Sequence, residues 1–349
     1  MKSLALHRVG DLRLSETAVP EPRDGEVLLR TTHCALCRTD AKMWRQGHRD
    51  LRLPRVPGHE VCGVLDGVGG RFVVWPGTAC GRCDACASGR ENLCGAMRIM
   101  GFHRDGGLAE FAAVPESSLV PVPAALDGRI AALAEPLACT LNALERVALV
   151  PGERVLILGG GPVGLLMGLA VMALDAHPFV VEPDSSKLEK SRMFRGRVGM
   201  EASESPMGAP WDVVVNAAPQ AATLLDGVPR IRTGGRFCFF SAFTGSEMIP
   251  VSWLNELHYR EIQVAGAYGC TRQQMRRALG ILDAHRKDVE WLIEDTVTLD
   301  RVPDALSAIW EGRVLKVVVQ FQRTGRRGLS IGVIRDKHCG FGENQEGKR

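Results

Sequence analysis

Four cysteines lie within fifteen residues of the chain, and their spacing is typical of a metal site. Cys80, Cys83, Cys86 and Cys94 follow the pattern C-x2-C-x2-C-x7-C in CGRCDACASGRENLC. Four thiolates around one Zn²⁺ ion form a closed tetrahedral site that leaves no position for a substrate. The alternatives are four unpaired surface thiols or an iron–sulfur cluster, but no proline follows the fourth cysteine as in bacterial ferredoxins. We therefore predict a structural zinc site in a lobe over residues 80–94.

A second group has the residue types of a catalytic zinc site. Cys37 occurs in CALCRTD, and His59 and Glu60 occur together in PGHEVCG. One thiolate, one imidazole and one carboxylate leave the fourth position around Zn²⁺ open to water or substrate. The spacing alone is a weak signal, because Cys37 could belong to the core and His59 to a turn. The residue types nevertheless indicate a candidate site for Lewis-acid chemistry.

The segment PGERVLILGGGPVGLLMGLAVM, residues 151–172, has the order of elements that binds a dinucleotide. A buried apolar strand at 154–158 leads into GGGPVG, which fits G-x-G-x-x-G, and an apolar helix follows. A second strand, PFVV at 178–181, ends at Glu182, which is 18 residues after the last glycine of the motif. The alternative interpretation is a plain glycine turn in another α/β unit, but the complete strand–turn–helix–strand–acid order favours dinucleotide binding.

Each glycine of this motif has a separate predicted role. Gly159 allows the tight turn, Gly161 lets the pyrophosphate approach the helix N-terminus, and Gly164 lets helix and strand pack closely. Glu182 would accept hydrogen bonds from the adenosine ribose hydroxyls and would repel a 2′-phosphate. We therefore predict that NAD is favoured over NADP.

The overall composition excludes several classes of function. The 349 residues include 43 Lys and Arg against 40 Asp and Glu, a formal net charge of +3. Residues 322–349 hold seven basic and three acidic side chains, so the rest of the chain lacks the basic stripe of a nucleic-acid-binding protein. We find neither a cleavage-site pattern nor an apolar window of about 18 residues, which predicts no signal peptide and no membrane contact. A cytoplasmic protein is expected.

The compartment also affects how the cysteines are interpreted. Thiols stay reduced in the cytoplasm, so clustered cysteines are expected to be metal ligands rather than disulfides. The isolated cysteines are expected to be buried apolar fillers, with a place near the nucleotide as an alternative for Cys139. They are Cys34, Cys62, Cys139, Cys238 and Cys270.

The motifs taken in order resemble the zinc-dependent medium-chain dehydrogenase/reductase family. Cys37 is followed by GHE at 58–60, the four-cysteine lobe, RDGGLAEF at 104–111, AEPLA at 134–138 and GGGPVG at 159–164. The resemblance covers roughly residues 1–321. The EPL segment and the glutamate beside the histidine resemble the sorbitol and threonine dehydrogenase branch more than the alcohol dehydrogenases first known.

The resemblance implies a role for each matching residue. Cys37, His59 and Glu60 match the catalytic zinc ligands, and Glu135 matches a glutamate that lies at the metal or holds its water. Thr39 matches the hydroxyl that bonds the substrate oxygen and begins a proton relay. Lys42 stands where many relatives have the next group of that relay, a histidine. The implied cofactor-binding residues are Arg38, near the pyrophosphate, Gly159, Gly161, Val163 and Gly164 of the turn, and Glu182 and Lys187, beside the ribose.

The same resemblance implies an α/β fold with two domains. A GroES-like β-rich catalytic domain would comprise residues 1–130 and 271–321, and a doubly wound Rossmann domain would comprise residues 131–270. Residues 322–349 lie beyond the usual end of the family and are expected to be disordered. The strand pattern REIQVAGAYG at 260–269 matches a subunit-contact strand of relatives, so a homodimer or homotetramer is expected.

The implied function is hydride transfer between a secondary alcohol, of the polyol or sugar-acid class, and NAD, with one catalytic and one structural zinc per chain. The alternatives are a dehydrogenase of a simple secondary alcohol or an amino alcohol such as threonine, and a non-catalytic nucleotide-binding relative. Arg104, in the HRDGG run, could pair with the carboxylate of a sugar acid; a solvated loop arginine is the alternative.

Overall fold

A computed structural model describes residues 1–208, 210–243 and 248–322 of the chain. The predicted disorder of residues 322–349 lies outside these residues, except at Gln322. The first part of the chain consists mainly of short strands. Its elements are β1 (Lys2–Arg8), β2 (Asp11–Glu16), β3 (Glu26–Ala35), α1 (Arg38–Gln46), β4 (Glu60–Val64), β5 (Phe72–Val74), β6 (Gly77–Thr78), α2 (Asp84–Ala87), β7 (Arg98–Ile99), β8 (Phe111–Pro115), β9 (Leu119–Pro121) and α3 (Gly128–Ala131).

The second part alternates strands with longer helices, and the last part returns toward the first. The elements of the second part are α4 (Ala134–Arg146), β10 (Arg154–Leu158), α5 (Pro162–Met172), β11 (His177–Val181), α6 (Ser185–Val198), β12 (Glu201–Ser203), β13 (Trp211–Asn216), α7 (Ala222–Gly227), β14 (Ile231–Phe239), α8 (Val251–Tyr259) and β15 (Gln263–Gly266). The last part contains α9 (Arg272–Ala284), α10 (Arg286–Val289), β16 (Ile293–Val297), α11 (Val302–Trp310) and β17 (Lys316–Gln320).

The alternating strands form one parallel sheet in the order β12-β11-β10-β13-β14-β15. Leu158 at the end of β10 lies opposite Val181 of β11 on one side and Asn216 of β13 on the other. The order reverses at β10, and ligands of doubly wound sheets bind beyond the carboxyl ends of the strands at such a point. The glycine turn at 159–164 begins there.

The short strands form a second sheet, in which the last strand of the chain takes part. Its order is β16-β17-β3-β4-β5-β9, with β8 also paired to β3. Ala35 at the end of β3 lies opposite Val318 of β17 and opposite Glu60 of β4. Because β3 lies between β17 and β4, side chains near the ends of those two strands can meet across it. The expected combination of a β-rich part with a doubly wound parallel sheet is confirmed.

Helices α4 and α5 carry the main core between the two sheets. Residues 164–171 of α5 are buried on every side of the helix, and ten of the thirteen residues of α4 are buried. A helix that is apolar all round is stable only where protein surrounds it. Glu135 therefore stands at the start of a helix fixed by packing. Within the part of the chain that the structure describes, none of the helices has the length and apolar character needed to cross a bilayer.

Candidate active site and metal centres

The N-terminus of α1 fixes the position of Cys37. The Cys37 thiol is the N-cap of the helix and accepts a hydrogen bond from the backbone N–H of Thr39 at 3.4 Å. In return, the Asp40 carboxylate accepts from the Cys37 N–H at 3.0 Å. This reciprocal pair is a capping box built with a sulfur, and it satisfies two backbone donors at the helix start.

Asp40 extends the same arrangement to the histidine. It is buried, accepts from the Gly58 N–H at 3.3 Å, and lies 3.3 Å from Nδ1 of His59. Burial alone would lower the pKa of His59, but the Asp40 carboxylate outweighs burial and raises that pKa well above its usual value. A carboxylate on one ring nitrogen orients a metal-binding histidine so that the other nitrogen faces the ion. No role for Asp40 was predicted from the sequence, although its place three residues after the N-cap could have indicated one.

Glu60 is the first residue of β4 and is held by a buried lysine. The Lys316 ammonium, from β17, lies 2.8 Å and 2.6 Å from the two carboxylate oxygens. Burial raises the pKa of Glu60 to about 7, although the lysine opposes the shift. Lys316 was not predicted either, since nothing local to VLKVVVQF indicates its partner.

The three predicted ligands of the catalytic metal converge. The ligand atoms of Cys37, His59 and Glu60 lie within 4.8 Å of one another. Two ligands bonded to one tetrahedral Zn²⁺ stand roughly 3.5 Å apart, so modest side-chain adjustment would close the group around an ion. A thiol, an imidazole backed by a carboxylate, and a buried carboxylate fit an open zinc site.

The four cysteines of the lobe also converge, with ligand atoms within 4.8 Å. Cys83 and Cys86 have sulfurs 3.5 Å apart, and Cys80 and Cys86 have sulfurs 4.0 Å apart. Backbone N–H groups of Arg82 and Cys83 lower the pKa of the Cys80 thiol to about 6. Loss of solvent and the neighbouring Cys83 thiol raise the pKa of Cys86 to about 12. A cation bound by the four sulfurs would displace the thiol protons, and the short distances between the sulfurs fit a closed zinc site.

The glycine turn has the shape that a dinucleotide needs. A Cβ at Gly164 would lie 1.8 Å from the Gly159 carbonyl oxygen, so only glycine allows this contact between helix and turn. A Cβ at Gly161, the N-cap of α5, would meet no protein atom within 4 Å. The space above the helix N-terminus is therefore open, and Val163 lies in the first turn beneath it. Backbone N–H groups at such an end attract a pyrophosphate.

Glu182 is held at the edge of this space. Its carboxylate accepts hydrogen bonds from Gly160 N–H at 3.0 Å and Asp184 N–H at 3.2 Å. The Lys187 ammonium lies 3.6 Å away. The acid thus follows β11 directly and lies beside the glycine turn; its contact with the ribose remains a prediction.

The predicted relay and pyrophosphate residues lie on α1. Thr39 is half-buried and lies in the first turn of α1, and Lys42 lies about one turn further along the helix. Arg38 donates to the carbonyls of Ile309 and Trp310 and stacks over the Trp310 ring. Its guanidinium is therefore anchored to the end of α11, and its predicted pyrophosphate contact remains a prediction.

A histidine that the sequence analysis missed lines the same region. The His48 ring meets Phe102 edge-on at 5.2 Å, and Phe102 meets His59 at 5.4 Å. Asp50 orients His48: the Asp50 backbone N–H donates to His48 Nδ1 at 3.2 Å, and the Asp50 carboxylate lies 3.8 Å from the same nitrogen. Its position in a loop without periodicity gave no signal.

Glu135 lies with two thiols. Its Oε1 is 3.4 Å from the Cys139 sulfur, and Cys270 completes a group whose ligand atoms lie within 4.8 Å of one another. Cys270 is buried as expected, but its grouping with Cys139 and Glu135 was not anticipated. The role of Glu135 at the Cys37 group remains a prediction.

Arg104 does not have the free guanidinium that carboxylate recognition requires. It pairs with Glu26 and also donates to the Thr78 hydroxyl and the Ala113 carbonyl, each at 3.4 Å. The suggestion that it binds a substrate carboxylate is therefore wrong for this arrangement, because the carboxylate of Glu26 already occupies it.

Comparison with known proteins connects this geometry to a family. Residues 23–124 match the model of the alcohol dehydrogenase GroES-like domain. The chain is 29% identical to L-galactonate-5-dehydrogenase of Escherichia coli K12 over 326 residues, covering 88% of this chain and 93% of that protein. It is 28% identical to D-altritol 5-dehydrogenase of Agrobacterium fabrum, covering 86% of this chain and 94% of that protein.

A solved structure resembles the fold over nearly its full length. It is described as a putative zinc-binding dehydrogenase from Sinorhizobium meliloti bound to NADP; it matches with a TM-score of 0.82 and 28% identity, covering 92% of this chain and 99% of that one. The sequence order, the matched domain and these relatives agree. The matched domain and these relatives support a place for the chain among the zinc-type medium-chain alcohol dehydrogenases, on the side of the sorbitol and sugar-acid dehydrogenases.

Proposed function

We propose that this chain is a zinc-dependent oxidoreductase that transfers a hydride between a secondary alcohol and a nicotinamide dinucleotide. The observation that carries the proposal is the convergence of Cys37 with the buried His59 and Glu60, with Thr39 two residues after Cys37 in the first turn of α1. When bound there, zinc supplies a Lewis acid that lowers the pKa of an alcohol, and the nicotinamide supplies the hydride chemistry.

The chain's own residues position the reactants and remove the proton. Asp40 fixes the positions of Cys37 and His59 relative to each other, because its carboxylate accepts from the Cys37 N–H and also lies beside His59 Nδ1. The Thr39 hydroxyl takes the alcohol proton, and Lys42 passes it toward solvent. Burial of His59 and Glu60 keeps bulk water from these groups, which strengthens their electrostatic interactions.

NAD is the proposed cofactor. Both oxygens of Glu182 already accept backbone N–H groups, which fixes a negative charge where a 2′-phosphate of NADP would have to lie. The open space at Gly161 receives the pyrophosphate. The solved S. meliloti structure contains bound NADP. The proposed preference for NAD therefore rests on Glu182 of this chain and not on that relative.

The proposed substrates are polyols and sugar acids. The relatives named for L-galactonate, D-altritol and sorbitol support this class. Arg104 lends it no support, since Glu26 holds that guanidinium. We also propose that the chain forms a homodimer or homotetramer, because β15 is the exposed edge strand of the parallel sheet and unpaired edges favour association.

Spectrophotometric NADH formation with a panel of polyols, sugar acids, simple alcohols and threonine tests the proposal. We expect turnover on a hydroxyl-rich class and its loss in His59→Ala. A His285→Ala variant, changed at a partly exposed histidine between α9 and α10, is the matched control and should retain turnover. Turnover that survives His59→Ala would refute the zinc-based reaction. Activity confined to threonine or a simple alcohol would replace the proposed substrate class.

A further inference from the structure

Three side chains outside the expected ligand sets form a compact donor group. Glu135 and Cys139 are four residues apart on α4, so they project from one face of the helix. Cys270, from the segment after β15, meets them, and the three ligand atoms lie within 4.8 Å of one another. The group joins elements that are more than one hundred residues apart along the chain.

The backbone that carries Cys270 is fixed from three directions. Asn142 of α4 donates to the Gly269 carbonyl at 2.9 Å, and Trp75 donates to the Cys270 carbonyl at 2.8 Å. Asn92, which lies in the four-cysteine lobe, donates to the Tyr268 carbonyl at 3.0 Å. These contacts hold the Cys270 sulfur against α4 without any ion, and metal sites bind best where their ligands are held in advance.

The separation of Cys139 and Glu135 is similar to a sulfur–sulfur separation in the lobe. The Cys139 sulfur lies 3.4 Å from the Glu135 oxygen, and the lobe sulfurs of Cys83 and Cys86 lie 3.5 Å apart. Ligands of one tetrahedral ion with bonds of about 2.0 to 2.3 Å are separated by roughly this distance. Two thiols and a carboxylate are donors for borderline and soft ions, of which Zn²⁺, Co²⁺ and Cd²⁺ are examples.

We propose that Glu135, Cys139 and Cys270 form an additional binding site for a thiophilic divalent cation, separate from the Cys37 group and from the lobe. The site supplies three protein ligands and leaves a fourth position to water or an anion. On binding, each thiol loses its proton to solvent and its sulfur forms a bond to the ion, with no change of oxidation state.

The position of this site gives it a consequence for Glu135. Glu135 interacts electrostatically with both Glu60 and Lys316, so its carboxylate lies within electrostatic range of the Cys37 group as well as beside Cys139. An ion bound by Cys139 and Cys270 holds Glu135 on the thiol side. The proposal stands independently of the proposed function, because the ion count does not depend on turnover.

Cobalt binding to the full-length protein tests the proposal. Metal-free protein is equilibrated with excess Co²⁺ and desalted, and bound Co²⁺ per chain is measured by elemental analysis with the near-ultraviolet thiolate-to-cobalt absorption. The double variant Cys139→Ala/Cys270→Ala is expected to bind one ion fewer per chain than the wild type and to lose part of this absorption. Cys238→Ala, at another buried cysteine of the core, is the matched control and should bind as many ions as the wild type.

Two results would overturn the proposal. The first is an equal number of bound Co²⁺ ions per chain in the wild type and the double variant. The second is a Cys139–Cys270 disulfide that is still present in the intact mass of the wild type after treatment with reductant and loading with cobalt. The single variant Glu135→Gln keeps both thiols if the double variant fails to fold. At high Co²⁺ this variant should bind as many ions per chain as the wild type, but filling the proposed site should require about ten-fold more Co²⁺. An unchanged affinity for that ion would remove Glu135 from the ligand set.

Discussion

Lys316 and Glu60 form a buried ion pair, with the ammonium 2.8 Å and 2.6 Å from the two carboxylate oxygens. Their side chains are 4% and 1% exposed, so water compensates neither charge. The pair brings the last strand of the chain to a predicted metal ligand. Lys316 therefore balances the Glu60 charge whenever no cation is bound beside it.

Replacing Lys316 should destabilise the metal-free protein more than the zinc-loaded protein. Lys316→Met removes one member of a buried pair, which costs about 3–5 kcal/mol because the remaining charge is left uncompensated. A zinc ion on Cys37, His59 and Glu60 would compensate the carboxylate, so the loss should be smaller in zinc-loaded protein. Denaturant unfolding with zinc and with a chelator measures both losses. The exposed Lys287→Met is the control, and equal losses in the two states would contradict the interpretation.

Replacement by alanine should have different effects at two glycines of one turn: it should lower stability at Gly164 and weaken dinucleotide binding at Gly161. Gly164→Ala places a Cβ 1.8 Å from the Gly159 oxygen, so we expect a loss of about 1–3 kcal/mol in the free energy of unfolding. Gly161→Ala meets no protein atom within 4 Å and should fold within about 0.5 kcal/mol of the wild type. Its Cβ enters the proposed pyrophosphate space, so the dissociation constant for NADH should rise about ten-fold or more. Unchanged NADH affinity would place the pyrophosphate elsewhere.

Glu182 should set the choice between the two dinucleotides. Glu182→Ala should lower the ratio of kcat/KM for NAD to that for NADP by about ten-fold or more, since the repulsion of a 2′-phosphate is lost. Glu182→Gln keeps an oxygen for the Gly160 N–H but removes the charge, so it separates electrostatics from support of the turn. An unchanged ratio in both variants would remove the assigned role.

Loss of one lobe cysteine should lower metal content and stability together. Cys83→Ser is expected to lose one zinc per chain and to unfold at a lower temperature, because zinc binding contributes directly to the folding of such a lobe. Elemental analysis and thermal unfolding measure the two effects. Ser88→Ala, in the same lobe but outside the sulfur cluster, should retain both. A Cys83→Ser protein of full stability without lobe metal would show that the four cysteines are not a structural site.

Arg104 should contribute to stability in a pH-dependent way and not to substrate affinity. Burial alone would raise the pKa of Glu26, but the Arg23 N–H and the Arg104 charge lower it below 4.5. A lowered carboxyl pKa stabilises the fold above the unfolded-state value of about 4.5 and loses that effect as the pH falls through the folded-state value.

Arg104→Ala should therefore cost about 1 kcal/mol at pH 7, and its difference from the wild type should shrink below about pH 4. The KM for a sugar acid should not change. Denaturant unfolding across pH and steady-state kinetics measure the two effects, with the exposed Arg98→Ala as the control. A large rise in KM would restore the carboxylate-binding role to Arg104.

The sequence by itself determined the chemistry that is local in the chain. The cysteine spacing at 80–94 and the glycine motif at 159–164 are short-range patterns, since one turn or one loop brings their residues together. The order of these motifs was enough to indicate the family, and that resemblance implied the doubly wound parallel sheet. The ligand types at Cys37, His59 and Glu60 were visible too, although their spacing alone was a weak signal.

Only the tertiary structure decided which distant partners meet. Strand pairing across β3 places Lys316 on Glu60, and the packing of α4 against the segment after β15 places Cys270 beside Glu135. Arg104 meets Glu26 because Glu26 begins β3, and Arg104 also donates to Ala113 of the neighbouring β8 in the second sheet. Such pairs depend on sheet register and helix packing, which no local pattern encodes, because a side chain's neighbours across a fold are set by the whole chain at once.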